Sequence, residues 1–328
     1  MNTKRWLALI AALVLLFVSI GFRFTMNLAS GMLESFAELD DYYFDEHIVE
    51  EGDWDKRIAV LNLNGVIQDA EMSIFFEGYN HEQFLKMIDQ AAVDDSVEAI
   101  VLQVDSPGGA VGPTAEIHRK LVEMQAAYEK PIYVSMGSMA ASGGYYVAAP
   151  ADKIFAESST ITGSIGVIME SVNYAGLAEK YGINFNTIKS GKHKDIMSAS
   201  REMTKEERQI LQSMVDEMYD EFVQVIVDGR GMSESKVREV GDGRVYTGKQ
   251  AQSVGLVDEV GNFDDTLSAL KEDYNLEDAQ VIQYEEGFGF LSGFGMNMKS
   301  LFQSDSSELE MVLSLLRQSD KPRAMYIY

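Results

Sequence analysis

Hydrophobic positions follow two different patterns along this chain. The first 23 residues hold one long apolar run, whereas short apolar runs with strand and helix spacing alternate from residue 56 onward. The strand-like runs include RIAVLNLNGVI, VEAIVLQVDSPGG and PIYVSM, and the helix-like runs include HEQFLKMIDQAAVD and TAEIHRKLVEMQAAYEK. Nearly continuous apolar strands separated by amphipathic helices are typical of parallel sheets buried on both faces. The pattern therefore predicts an α/β fold with mostly parallel sheets flanked by helices.

The N-terminal run predicts a membrane anchor. Residues 6–22 carry no charge, and Lys4 and Arg5 precede them. Such a run is at the short end of what spans a bilayer, about 17–25 residues, and a cleaved signal peptide is the alternative. Because the run is longer than a usual signal-peptide core, we predict one uncleaved transmembrane helix over residues 1–23. The positive-inside rule then predicts a single-pass protein of the cell membrane, with a cytoplasmic N-terminus and the bulk of the chain outside.

Composition changes twice after the anchor, which predicts three further segments. Residues 24–55 are acidic and aromatic, as in a juxtamembrane linker or a short helix. Residues 56–285 carry the strand and helix pattern and form the predicted domain. Residues 286–328 comprise a loop rich in Gly, Phe and Met, a terminal helix and a flexible tail.

Two predictions inside the domain are specific enough to be tested. Thr204 and Glu207 have the spacing of a helix capping box and predict a long helix. The apolar stripe of that helix should face the core or another subunit, and it contains Ile210, Leu211, Met214, Val215, Met218 and Phe222. The segment INFNTIKSG, by contrast, predicts a strand that leads into a loop.

Charge and composition exclude several classes of function. The formal net charge is −25, which argues against a nucleic-acid partner because phosphate binding needs a basic surface. The chain has no cysteine, so thiolate metal sites and a cysteine nucleophile are excluded. Its four histidines lack metal-ligand spacing, and its glycines lack the phosphate-binding fingerprints. We therefore expect no metal and no cofactor.

The segment MAASGGYYVAAP holds the strongest candidate for chemistry. Its Ser142 is predicted at a helix start, where the N–H of Gly143 is unpaired and developing negative charge is favoured. Gly108 and Gly109 end the preceding strand, and glycine lets a second backbone N–H approach a substrate carbonyl. Consecutive parallel strands end at one sheet edge, so these two loops should meet there. Ser142 is thus a candidate nucleophile with an oxyanion hole beside it.

A nucleophilic serine needs a base, and the residues leave three candidates. His118 lies on a predicted amphipathic helix, where a solvated or capping role is common. His193 and Lys194 lie together in SGKHKD. A lysine can serve as the base when burial lowers the pKa of its amine toward neutrality. Spacing alone does not choose among the three.

Four separated motifs resemble those of the signal peptide peptidase A family, short bacterial type, which is serine peptidase family S49. The motifs are VDSPGG, SMAASGGYYVAAPADKIFAESSTITGSIGV, KSGKHKDIMS with REMTKEER, and DGRVYTGKQAQSVGLVDEVG. They agree in order and spacing over residues 56–275. The resemblance implies a membrane-anchored serine peptidase with a ClpP/crotonase-like fold. Its substrates would be remnant signal peptides and other short or unfolded peptides.

The resemblance also implies a role for individual residues. It makes Ser142 the nucleophile and Lys194 the general base of a Ser-Lys dyad. Ser164, in the TGSIG motif, would help to orient the lysine. Gly143 and Gly109 would form the oxyanion hole.

Two features of the family bear on assembly and on the dyad. Relatives about twice as long carry two copies of the fold, so a one-copy chain is expected to form a homo-oligomeric ring with composite sites. Whether Lys194 meets the Ser142 of its own copy or of a neighbour stays open. Lys192 departs from the small residue common in relatives, and its charge would favour a neutral Lys194 if both faced the site.

Three other functions stay open on the sequence alone. A crotonase-type acyl-CoA enzyme would share the fold and the oxyanion hole but would not need Ser142 or Lys194, and a non-catalytic membrane scaffold would leave Ser142 unlabelled by a serine-reactive phosphonate. A stomatin-associated Ser-Lys peptidase is the third. The apolar tail AMYIY also has two interpretations. It is a disordered terminus, or it reaches the peptide groove as an inhibitor or a trimmed substrate.

Overall fold

The computed structural model describes residues 44–69, 79–285 and 324–327. The predicted anchor over residues 1–23, the Gly-rich loop and the terminal helix lie outside the described residues. Within them, no helix is long and apolar enough to span a bilayer. Almost everything described belongs to one compact unit.

Nine strands of the described part form one sheet, and two more pair separately. In chain order the strands are β1 Asp45–Glu50, β2 Asp53–Asn64, β3 Val97–Ser106, β4 Gly108–Ala110, β5 Ile132–Ala141, β6 Lys153–Ala156, β7 Ile161–Gly163, β8 Val245–Thr247, β9 Glu259–Val260, β10 Ala279–Glu285 and β11 Met325–Ile327. The order is β1-β10-β2-β3-β5-β6-β9, with β7 beside the end of β5 and β8 beside β7. From β10 to β9 every neighbouring pair is parallel, whereas β7 and β8 are antiparallel. The predicted α/β fold with a mostly parallel sheet is confirmed.

Helices provide the crossovers that parallel strands need. They are α1 His81–Val93, α2 Val111–Tyr128, α3 Gly143–Ala148, α4 Ala175–Lys180, α5 Lys205–Arg230, α6 Glu234–Val240, α7 Gly248–Val254 and α8 Phe263–Tyr274. The predicted capping box at the start of α5 is present, with reciprocal hydrogen bonds between Thr204 and Glu207.

The hydrophobic core lies on both faces of the central strands. Ile58 of β2 and Val101 of β3 belong to a cluster that includes Leu270 of α8. The intervening positions point to the opposite face and are equally buried, as Ala59 and Leu102 show. Strands buried on both faces explain why their sequences are nearly continuous apolar runs. This packing fixes the carboxyl ends of β3 and β5, where the candidate site lies.

Part of the predicted linker is folded into the sheet. Residues 45–50 form β1 and residues 53–55 begin β2, although the sequence predicts a linker or short helix over residues 24–55. Every side chain of β1 is exposed, so the strand lacks the buried apolar face that strand prediction relies on. Backbone pairing with β10 forms the strand instead.

The strand predicted from INFNTIKSG is wrong, because none of the described strands pairs with residues 183–189. Its side chains Ile183, Phe185 and Ile188 are exposed by 55%, 48% and 101%. The first half of α5 shows a similar exposure, since Ile210 and Met214 are exposed while Phe222 is fully buried. The apolar pattern of this region therefore does not face the core of the described chain.

Candidate active site

Ser142 lies in a strained turn between β5 and α3. It is the N-cap of α3, as predicted, and its φ of 52° and ψ of −115° are a conformation that favours glycine. The turn is held by two hydrogen bonds, from the Ser142 N–H to the Gly163 carbonyl (2.7 Å) and from the Tyr146 N–H to the Ser142 carbonyl (2.9 Å). Such strain costs about 1–3 kcal/mol and clusters at active sites.

The Ser142 hydroxyl is buried but has no partner. The residue is 1% exposed, and its Oγ makes no hydrogen bond to any described residue. Leaving a buried hydroxyl unsatisfied costs about 1–3 kcal/mol, so such groups are rare in folded proteins. The turn therefore presents a buried hydroxyl with no hydrogen-bonding partner in the described part of the chain.

Glycines let two backbone segments approach each other beside this serine. Gly108 has a φ of +95°, and a Cβ there would lie 2.5 Å from the Gly143 nitrogen. A Cβ on Gly143 would lie 3.1 Å from the Gly109 nitrogen. The backbones of Gly143 and Gly109 are thus neighbours at one sheet edge. Two N–H groups so close to a nucleophile can stabilise an oxyanion.

Ser164 lies next to Ser142 at the end of the adjacent strand. β7 pairs in parallel with the last residues of β5, and Gly163, which precedes Ser164, accepts the Ser142 N–H. Ser164 is 8% exposed and has a φ of 51°. Of the predicted site residues, the structure brings Ser142, Gly143, Gly109 and Ser164 together.

The tail of the chain lies along the same edge. β11 pairs antiparallel with β4, so that Tyr326 lies opposite Gly109 and Ile327 opposite Gly108. On its other side, Met325 exchanges two backbone hydrogen bonds of 3.1 Å with Ile168. An extended peptide held between backbone segments is a common mode of peptide recognition. Residues 324–327 therefore lie along this edge, and the role of the tail as an inhibitor or a trimmed substrate stays a prediction.

An aromatic pocket holds the tail. Tyr326 is fully buried, with its ring stacked on Tyr146 (5.1 Å between centroids) and edge-on to Phe222 (4.9 Å). Its hydroxyl donates to the Met218 carbonyl at 3.0 Å. Burial raises the pKa of Tyr326 far above its ordinary value, so the hydroxyl stays protonated as a donor. This subsite accepts a large aromatic side chain.

Neither candidate histidine pairs with Ser142. The His118 ring lies edge-on against Tyr146 at 5.2 Å, and burial lowers the pKa of His118. The His193 Nε2 lies 3.3 Å from the Glu206 carboxylate. Because the Ser142 Oγ has no partner in the described part, neither imidazole acts on it within one copy.

Lys194 lies on an exposed loop and does not pair with Ser142 either. Its backbone N–H donates to the Gly191 carbonyl at 3.2 Å, and its ammonium has no polar partner among the described residues. Lys192 binds Glu206, and an effect of its charge on Lys194 stays a prediction. The described residues contain no cluster of acidic and histidine side chains that could hold a metal ion.

Comparison with known proteins places the chain in a family. Peptidase family S49 matches residues 124–277. A candidate signal peptide peptidase SppA of Enterococcus faecium is 38% identical over 344 residues, covering 100% of this chain and 99% of the relative. The chain belongs to peptidase family S49. The chloroplastic serine protease SPPA of Arabidopsis thaliana is 36% identical over 67% of this chain and 33% of its own. Protease 4 of Haemophilus influenzae is 29% identical over 83% of this chain and 46% of its own.

Membership in family S49 makes the chain a serine peptidase and confirms the resemblance seen in its motifs. The matched residues 124–277 include Ser142, Ser164 and Lys194. The roles of these residues remain predictions. The acyl-CoA and scaffold alternatives lose their support, because neither is a peptidase.

The aromatic pocket is the part of the site that sequence reasoning missed. Tyr146 comes from the same motif as Ser142, whereas Phe222 comes from α5, 76 positions after Tyr146 in the sequence. The paired tyrosines after Gly144 were a visible signal. Their meaning depends on a long-range contact that no local pattern contains.

Proposed function

We propose that this serine peptidase is a membrane-anchored endopeptidase that degrades remnant signal peptides and other short or unfolded peptides, with Ser142 and Lys194 as its dyad. The observation that carries the proposal is the buried Ser142 hydroxyl, which has no partner among the described residues and lies beside the glycines of β4, along which the tail binds as an extended peptide. The name of the Enterococcus faecium relative supports signal peptides as substrates. The parallel sheet with its glycine turns is consistent with a ClpP/crotonase-like fold.

The mechanism begins when the Ser142 Oγ attacks the scissile carbonyl carbon and its proton passes to the neutral Lys194 amine. The N–H groups of Gly143 and Gly109 then donate to the negatively charged oxygen of the tetrahedral intermediate. Collapse breaks the C–N bond, and Lys194 returns the proton to the leaving amine. Water, deprotonated by Lys194, hydrolyses the resulting ester and restores the Ser142 hydroxyl. Ser164 would hold the amine in place.

The tail indicates which substrates fit the groove. It binds through backbone hydrogen bonds on both sides, so the groove needs an extended, unfolded segment. Tyr326 fills an apolar aromatic pocket, and the flanking Met325 and Ile327 are also apolar. Remnant signal peptides are short and apolar, and they match both requirements. The anchor predicted over residues 1–23 would keep the enzyme at the membrane, with its domain outside the cytoplasm.

The dyad would be formed between copies of the chain. Ser142 is buried without a base, while Lys194 is exposed without a partner among the described residues. The segment around this lysine exposes a set of large apolar side chains that a second copy would cover, comprising Val172, Leu177, Tyr181, Ile183, Phe185 and Ile188. Large apolar side chains exposed together in one segment are a common mark of a protein interface. A ring in which each lysine loop reaches the next nucleophile would complete every site.

Labelling with a serine-reactive phosphonate tests the proposed chemistry. The wild-type protein should cleave a signal-peptide fragment and carry one label on Ser142, located by mass spectrometry. Ser142→Ala should lose both cleavage and label. Ser138→Ala is the matched control, because this serine is exposed on the same strand and should leave both unchanged. Cleavage by Ser142→Ala at the wild-type rate would contradict the proposal.

A further inference from the structure

We propose that Arg201 is a positioning residue for the general base: it fixes the loop that carries Lys194 and offsets the negative charge beside it. The proposal rests on the proposed function, since it requires Lys194 to act as the base. In the described part of the chain, Arg201 donates no hydrogen bond to the tail or to Ser142. It would therefore act through Lys194.

Arg201 fixes the residue that directly follows the lysine. Its Nη2 donates to Asp195 Oδ1 (2.7 Å), its Nε donates to Oδ2 (2.9 Å), and Nη2 also donates to the Asp195 backbone carbonyl (3.0 Å). One guanidinium therefore holds both the side chain and the main chain next to Lys194. This fork geometry is specific to arginine, because an ammonium cannot present parallel N–H groups.

Arg201 also binds the start of helix α5. Arg201 donates to both carboxylate oxygens of Glu207, at 2.5 Å and 2.8 Å. Glu207 is 2% exposed and also accepts the Thr204 N–H in the capping box of α5. Hydrogen bonds, first from Arg201 and then from Thr204, lower the pKa of Glu207 to about 2. The loop is thus tied to the first turn of a 26-residue helix.

The same cluster balances charge around the lysine. Asp195 also accepts from the Lys189 ammonium at 2.5 Å, so Arg201 and Lys189 face Asp195 and Glu207 as two cations and two anions. Nearby, Lys192 and His193 contact Glu206, and the His193 Nδ1 also lies 3.8 Å from the Glu207 carboxylate. Removing Arg201 would leave one negative charge uncompensated beside Lys194. That charge favours the ammonium form, which cannot accept a proton.

Geometry and charge can be separated by substitution. Arg201→Lys keeps the charge but loses the fork, and Arg201→Gln loses both. The double variant Arg201→Gln with Asp195→Asn restores the charge balance without the fork. Asp195→Asn alone removes the negative charge and leaves Arg201 bound to Glu207.

The experiment measures kcat and kcat/KM for a signal-peptide fragment as a function of pH, because the acid limb of kcat/KM reports protonation of the free base. Arg201→Gln should shift the acid limb to higher pH by about 0.5 pH unit or more and lower kcat about tenfold or more. Arg201→Lys should lower kcat with the limb unmoved, and the double variant should return the limb to its wild-type position. Arg238→Gln is the matched control, since Arg238 bridges Asp220 and Glu234 on α5 and α6. The acid limb and the kcat of Arg238→Gln should equal those of the wild type.

The outcomes separate this proposal from the proposed function. If Lys194→Ala is inactive but Arg201→Gln keeps the wild-type kcat and acid limb, only the role of Arg201 is overturned. If Lys194→Ala is fully active, the dyad itself is wrong. If Arg201→Gln does not fold, Asp195→Asn decides, because its acid limb should move to lower pH. If the acid limb of Asp195→Asn lies at the same pH as that of the wild type, the proposal is overturned.

Discussion

The nucleophile edge (Ser142, Gly143, Gly109 and Ser164) and the lysine loop (residues 189–204) are built in opposite ways. The nucleophile edge is formed by the ends of buried parallel strands, and its strained serine is held by backbone hydrogen bonds. The lysine loop is exposed around Lys194 and half-buried over residues 195–201, lacks regular strands or helices, and is held by ion pairs to the start of α5.

Under the proposed function, the packed core holds the Ser142 turn in place, and assembly of copies would bring Lys194 to it. A strained turn needs the surrounding structure to hold it, and packed strands do this best. A loop held by ion pairs keeps its shape while exposed, so it can enter a neighbouring site as one unit. Each copy would then be half of a site: a nucleophile without a base, and a base without a nucleophile.

The largest expected effect comes from the nucleophile edge. Ser142→Ala and Ser142→Gly should both lose activity by about 10⁴-fold or more, because both lack the hydroxyl. The glycine variant should nevertheless unfold at higher denaturant than the alanine variant, by about 1 kcal/mol in the free energy of unfolding, since glycine tolerates this φ and ψ. Denaturant titration of the two variants compares them. Equal stabilities would show that the turn is not strained.

The second effect concerns the apolar surface around the lysine loop. Ile188→Asp should prevent assembly and lower activity about 100-fold or more, because a buried charge at an interface is costly. Native mass spectrometry would show single copies with an unchanged circular dichroism spectrum. Val93→Asp is the control, since Val93 is 62% exposed at the end of α1, and it should assemble normally. Normal assembly of Ile188→Asp would place the interface elsewhere.

A smaller effect should follow from freeing the groove. Deleting residues 324–328 should lower KM for a peptide substrate several-fold, because a tethered occupant competes at high effective concentration. Tyr326→Ala should have the same effect to a lesser degree, since it empties the aromatic pocket but keeps the backbone pairing. Steady-state kinetics measure both. An unchanged KM after deletion would show that the tail does not compete with substrate.

The smallest effect concerns stability in acid. Hydrogen bonds from Arg201 lower the pKa of Glu207 from 4.5 to about 2. A carboxyl group with a lowered pKa stabilises the fold fully above its unfolded value, and this contribution is lost as the pH falls from 4.5 toward 2. The melting temperature should therefore fall over this window, and less steeply in Arg201→Gln. Identical slopes in the two proteins would contradict this assignment.

Sequence reasoning reached the fold and the position of Ser142 at a helix start because both depend on local patterns. The apolar runs of β2, β3 and β5 are buried on both faces, and the capping box of Thr204 is present. The strand predicted at residues 183–189 failed because its apolar side chains are exposed and do not enter the described core. The tail and the Arg201 cluster depend on contacts between distant residues and side-chain geometry, which spacing does not encode.

Mixing two inactive variants tests the shared dyad most directly. Ser142→Ala and Lys194→Ala are each purified, mixed in equal amounts under conditions that allow copies to exchange, and assayed on a signal-peptide fragment. If each site takes its serine from one copy and its lysine from the next, random mixing leaves about one quarter of the sites intact. The account predicts recovery of about that share of wild-type activity. A mixture that exchanges copies, as native mass spectrometry would show, yet stays inactive would contradict it.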